Sequence, residues 1–320
     1  MKIPGIARIP LRQQRRNDEE SAMMRKDGTS FHVVTDTSAN LPTALAAERG
    51  ITVIPFAYII AGEAYTCTDT DAFDAEGYYA MIGSGVKVTT SQVAPQQFVE
   101  AFEPLLADGD VIYLSMASGI SGTYNSACMA ARQLAEKHPE RKVCVIDTKG
   151  ASLGTGLIAL RAADLRDQGT PTDEAVAALE KDVMRMYNVF TVDNLMYLRR
   201  TGRLSNLSAA VGTVLNIKPL LKGSEEAKIV AFAKVRGRNR AIRALAERYD
   251  RLAVNPEQQI IGISQSACRE DAAYLESLIR QNRPPKQILQ VEYEPVTGSH
   301  VGPGALALFF LGGDDVRKEN

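Results

Sequence analysis

From residue 31 onward, apolar positions gather in short runs rich in β-branched and aromatic side chains, separated by stretches in which they recur every three or four residues. The runs 31–36, 51–59, 110–115 and 143–147 predict buried strands. Between them, Phe98, Phe102 and Leu105 follow i, i+4, i+7 spacing, while Ala127, Ala130, Ala131 and Leu134 follow i, i+3, i+4, i+7, so both segments read as one-faced helices. Strands that alternate with helices need crossover connections, which favour a mostly parallel sheet with helices on both faces.

A second unit begins around 155–170, where a helical stretch ends at Gly169. Thr170 then offers an N-cap, Pro171 suits the first helical position, Asp173 suits the first turn, and Val176, Leu179, Val183 and Met186 form an apolar stripe. Further strands are predicted at 188–192, 229–235, 259–264 and 288–296, and the unit closes with the apolar run 305–311. The expected architecture is α/β in two domains, 30–165 and 166–320, preceded by a polar tail over 1–29 that lacks core periodicity and is expected to be disordered.

Composition narrows the function. With 37 basic and 38 acidic residues among 320, the net charge of −1 argues against a general nucleic-acid coat. Cys67, Cys128, Cys144 and Cys268 lie far apart and form no CxxC pair, which argues against a disulfide framework or a zinc knuckle. No run of eighteen apolar residues occurs, and the first thirty residues lack the apolar core of a secretory signal, so a cytoplasmic protein is expected.

Phosphate loops, dinucleotide fingerprints, HExxH and GxSxG are all absent from the sequence. What stands out is three segments rich in hydroxyls and glycine: Thr89-Thr90-Ser91-Gln92, Ser118-Gly119-Ile120-Ser121-Gly122-Thr123, and Gly298-Ser299-His300-Val301-Gly302-Pro303-Gly304. The second opens the helix containing Ala127, where free N–H groups and the positive dipole suit an anion. Singly, each segment is accounted for by helix caps and tight turns. Together they suggest a carboxylate pocket, because neutral hydroxyls and one imidazole bind an anion without burying an opposing charge. Phosphate would suit the same groups. So would a hydrolase pairing Ser121 with His300, with Asp36 or Asp147 orienting the imidazole. Between Lys234 and Arg251, seven basic residues face only Glu247 and Asp250. This is either a solvated face or, with Arg236, Arg238 and Arg240 on one side of an extended segment, a partner-docking surface.

At these residues the sequence resembles the DegV family, bacterial fatty-acid-binding proteins whose characterised members act as the FakB subunit of fatty acid kinase. The resemblance is collinear: Val34-Thr35-Asp36-Thr37-Ser38-Ala39-Asn40-Leu41-Pro42, the Thr89 and Ser121 segments, Asp147 with Ala151-Ser152, Tyr197-Leu198-Arg199-Arg200-Thr201-Gly202-Arg203, Leu215-Asn216-Ile217-Lys218-Pro219-Leu220-Leu221, and the His300 segment. It covers residues 31–311. It departs modestly at Ser299 and at Val93-Ala94-Pro95, neither of which is a proposed ligand.

The resemblance implies a two-domain α/β protein that holds one long-chain fatty acid between its domains, without a further cofactor or metal. Thr89 or Thr90, Ser121 and His300 would bind the carboxylate. The partner would be the catalytic subunit of a fatty acid kinase, which forms acyl phosphate for phospholipid synthesis, and transient membrane contact fits that supply route. Gly202 permits a turn that would project Arg203 outward, where the resemblance assigns it to the kinase-facing surface; equally, Arg203 could satisfy a helix C-terminus.

Overall fold

A computed structural model describes residues 30–205 and 216–319, so the expectation for the 1–29 tail lies outside the described residues. Strands β1 (Phe31–Asp36), β2 (Ile51–Ile54), β6 (Asp110–Ser115) and β7 (Val143–Asp147) form a parallel sheet in the order β2-β1-β6-β7. Both faces are covered, as alternation along the strands requires. Val34, Val111 and Tyr113 pack with Phe98, Phe102, Ala127 and Leu134 on one side. Val33, Ile112 and Leu114 pack with Leu157 and Ile158 on the other.

The strand expected over 51–59 is two strands in different sheets. Pro55 has no N–H for a ladder, and the Phe56 N–H donates to Thr37 Oγ1 at 3.0 Å, so pairing stops after β2. The chain resumes as β3 (Ala57–Ile60), which pairs with β4 (Glu63–Thr66) and β5 (Val88–Ser91) in a small antiparallel sheet that periodicity did not reveal. Two helices frame this region, α1 (Thr43–Glu48) and α2 (Ala75–Gly83). Helix α3 (Pro95–Phe102) buries Phe98 and Phe102 but stops before Pro104, leaving Leu105 in a 3-10 turn where Leu106 is the buried residue. Helix α4 (Thr123–Lys137) buries Ala127, Ala130 and Leu134 as expected.

Helix α5 (Leu153–Asp167) is buried around most of its circumference, because it lies against strands of both large sheets. The residue 165/166 division drawn from sequence therefore falls inside this helix. Helix α6 (Thr172–Arg185) starts one residue later than expected, with Pro171 rather than Thr170 at the cap. The Thr172 hydroxyl donates to Asp110 Oδ2 at 2.7 Å, which pins that start to the parallel sheet. Met186, expected on the helix stripe, is instead the first residue of β8 (Met186–Thr191).

After the short α7 (Met196–Arg200) and β9 (Leu204–Ser205) come β10 (Ile217–Gly223), β11 (Ile229–Arg236), α8 (Arg238–Leu252), β12 (Ile260–Gln265), α9 (Arg269–Asn282), β13 (Gln287–Glu292), α10 (Pro295–Val301) and β14 (Leu306–Leu311). The strands form a seven-stranded mixed sheet in the order β13-β12-β14-β8-β10-β11-β9. One face packs Tyr187, Val189, Ile263 and Phe310 on Leu245, Tyr249, Leu275 and Ile279 of α8 and α9; the other joins the core shared with the parallel sheet. The basic segment is not extended: Gly237, at φ +97°, ends β11, and Arg238 starts α8, where it pairs with Asp271 at 2.7 Å. The predicted strand 288–296 stops at Glu292, since Pro295 opens α10 and the Glu294 carboxylate accepts from the Val296 and Thr297 N–H groups, each at 2.6 Å.

Candidate functional site

The three segments singled out from sequence meet at a cavity of about 330 Å³ between the two large sheets. Its apolar wall includes Phe56, Met116 and Ile120 from the first half of the chain and Phe190, Leu198, Ile229 and Phe309 from the second. Its polar groups include Thr90, Gln92, Ser121, Arg203, Thr297 and His300.

Of the two β5 threonines, one meets the cavity. Thr90 lines it; Thr89 is exposed on the opposite face and is not a lining residue. Ser121 lies in the turn that leads from β6 into α4. Its hydroxyl donates to Thr123 Oγ1 at 3.0 Å and accepts from the Thr123 N–H at 3.3 Å, so it caps the α4 N-terminus while lining the cavity. A Cβ on Gly122 would meet the end of the exposed Gln92 side chain, which lies against the turn.

His300 sits on α10 with Nε2 3.0 Å from Thr90 Oγ1. Burial, helped by the nearby Arg203 guanidinium, pushes its pKa down to about 4, so the ring is uncharged at neutral pH. Buried Nδ1 has no hydrogen-bond partner among the described residues, and neither has the Thr297 hydroxyl one turn earlier. The helix is held close to the rest of the site by Gly298, where a Cβ would overlap the buried Tyr79 hydroxyl.

Arg203 departs from the outward projection expected of it. Gly202 does take a positive φ of +72°, but the side chain turns back. Its Nε donates to Ile120 O at 3.2 Å and its NH1 to Thr201 O, so it satisfies the end of α7 and lines the cavity half-buried.

The arrangement needed for a Ser-His-acid triad is not assembled. The Ser121 hydroxyl is bonded to Thr123, and His300 is bonded to Thr90. Buried Asp36 accepts from the Tyr113 hydroxyl at 2.5 Å and the Ser38 N–H at 3.0 Å, and burial pushes its carboxyl above the usual range. Asp147 accepts from the Ser118 hydroxyl at 2.5 Å and the Lys149 N–H at 2.9 Å. Neither carboxylate bonds the imidazole.

The fold is α/β, with a cavity of largely apolar lining to which β5, the α4 N-terminus and α10 bring Thr90, Ser121 and His300, and which Lys149, Arg203 and Lys228 also line. The sequence profile described as "Uncharacterised protein, DegV family" matches residues 30–312. A DegV domain-containing protein of Clostridium perfringens is 36% identical over 283 residues, spanning 88% of this chain and 97% of the relative. The chain belongs to the DegV family. Among solved structures it is similar to a DegV family protein from Thermus thermophilus described as fatty acid binding, with 28% identity, TM-score 0.80, and 89% of this chain and 100% of that one covered. It is similar also to DegV of Bacillus subtilis, described as a fatty acid binding protein, with 29% identity, TM-score 0.77 and the same coverage.

Proposed function

We propose that this protein binds one long-chain fatty acid and presents its carboxylate to the catalytic subunit of a separate fatty acid kinase in the cytoplasm, for acyl phosphate formation and phospholipid synthesis. The observation that carries the reading is the cavity itself: an apolar chamber at which a neutral imidazole with an unpartnered nitrogen, a threonine hydroxyl and a helix-capping serine converge. Thr90, Ser121 and His300 are the proposed carboxylate ligands. The Nδ1–H tautomer, with Thr90 donating to Nε2, leaves one donor free for an oxygen of the ligand. Each methylene buried in the chamber contributes about 0.8 kcal/mol, so ten or more outweigh the cost of ordering the chain.

The division of the chain at 165/166 into two domains is part of this proposal, the lipid lying between them. Arg203 is the proposed point of contact with the kinase, a cation at the cavity that is only half-buried. The hydrolase alternative has no assembled nucleophile and base to support it. Equilibrium binding of palmitate and oleate to delipidated protein tests the lipid step, and acyl phosphate formation on addition of ATP and a fatty acid kinase catalytic subunit tests the rest. Ester turnover by the chain alone would favour the hydrolase.

A further inference from the structure

Strand β8 turns Tyr187 and Val189 toward α8 and α9, and turns Asn188 and Phe190 to the cavity. Asn188 is 6% exposed, and both its Nδ2 and its Oδ1 are without a hydrogen-bond partner among the described residues. A buried side-chain amide left in this state is costly, and an apolar residue of similar size would avoid the cost.

The surroundings are built around that amide. Gly150, Gly154 and Gly223 all face it: a Cβ on Gly150 would come to 2.9 Å from Nδ2, one on Gly223 to 3.3 Å from Nδ2, and one on Gly154 would overlap Oδ1. None of the three has the positive φ that calls for glycine. Gly154 even sits in the first turn of a long helix, where alanine would be the better helix former. What they share is the room they leave for Asn188. Phe190 and Phe309 lie beside it, and near Gly223 so do the Lys149 carbonyl and the Arg317 guanidinium, which bond each other at 2.9 Å and leave the amide unpaired. Asn188 is a further polar residue of the cavity lining, with no hydrogen bond to Thr90, Ser121, Arg203 or His300.

We propose that Asn188 recognises a hydroxyl carried partway along the acyl chain, so that the preferred ligand is a hydroxy fatty acid. The inference rests on the fatty acid reading above and adds the ligand class. An uncharged amide presenting N–H donors and an acceptor oxygen is matched by a group that both accepts and donates, which a secondary alcohol does and a methylene, an alkene or a charged group does not.

The test is competition binding to the delipidated full chain, using stearic acid and its monohydroxy derivatives with the hydroxyl moved stepwise along the chain. One position is expected to bind about tenfold or more tighter than stearic acid, the others equally or more weakly, because only one register meets the amide. Asn188→Leu should abolish that optimum and bind stearic acid at least as well as the parent. Should that variant fail to fold, Asn188→Ala takes its place in the same series, with the same loss of the optimum expected. Stearic acid binding with no preferred hydroxyl position, as when a water occupies the amide, overturns this inference and leaves the fatty acid reading intact. An optimum that persists in Asn188→Leu removes the assignment to Asn188. Failure of every acid in the series to bind overturns the underlying reading and this inference with it.

Discussion

The chemistry of the site turns on an imidazole kept uncharged. Burial and the neighbouring Arg203 guanidinium both oppose protonation of His300, and its Nε2 is engaged by Thr90. A carboxylate placed beside the ring would favour the charged form, so fatty acid binding should raise the His300 pKa from about 4. An imidazole NMR titration with and without palmitate measures this, and a pKa unmoved by ligand would remove His300 from the carboxylate site. Ser121 makes a separate contribution from the α4 N-terminus. Ser121→Ala should weaken palmitate binding by about 1–3 kcal/mol through loss of a charge-assisted hydrogen bond in a poorly hydrated cavity. Calorimetry that gives parent-like affinity would contradict its role. The sequence shows Thr90, Ser121 and His300 only as hydroxyls and an imidazole in three separate segments, which the fold brings to one cavity. The choice between Thr89 and Thr90 was not legible there, because it depends on the register of β5 against β3, which pairs Thr90 with Tyr58.

Helix α10 is the element that brings His300 to the cavity, and its start is set by Glu294. That carboxylate is buried, and desolvation pushes its pKa up to about 7 even though it accepts two backbone N–H groups. Its folded-state pKa lies above its ordinary 4.5, so its contribution to stability is full below about pH 4.5 and is lost as pH rises through about 7. Across that window the parent should lose on the order of 3 kcal/mol relative to Glu294→Gln. Denaturant unfolding of both proteins at pH 5 and pH 8 checks it, and a pH-independent difference would contradict the buried charge. Sequence periodicity ran a strand through to residue 296 because Val291, Tyr293 and Val296 look like one apolar run. Pro295 and the carboxylate before it, which convert the run into a capped helix, act through local hydrogen bonds that hydrophobic spacing does not register. The same limit explains the 51–59 segment, where Pro55 and the Thr37 hydroxyl divide one apparent strand between two sheets.

For the whole molecule, the strongly periodic parts were the readable ones: β1, β6 and β7 occupy the residues the sequence indicates, and helices cover both faces of their sheet. Less visible was how the two halves share a core, since α5 is apolar nearly all round and carries no one-faced stripe. Arg203 shows the same loss of information, for a turn at Gly202 fixes where the chain goes and not whether the next side chain faces solvent or folds back onto Ile120 O. With a kinase catalytic subunit and ATP present, Arg203→Ala should lower acyl phosphate formation on the order of a hundredfold, as loss of a charge-stabilising group at a reacting centre does, with a much smaller change in palmitate affinity. Equal losses in both measurements would make Arg203 a lipid-cavity residue only.

Whether a fatty acid occupies the cavity between the sheets can be read from the purified protein. Denaturing mass spectrometry of lipid extracted from the purified protein addresses it directly. The expected result is a long-chain acid at close to one per chain. Lipid-free protein that also fails to bind added palmitate or oleate would rule out a fatty acid ligand.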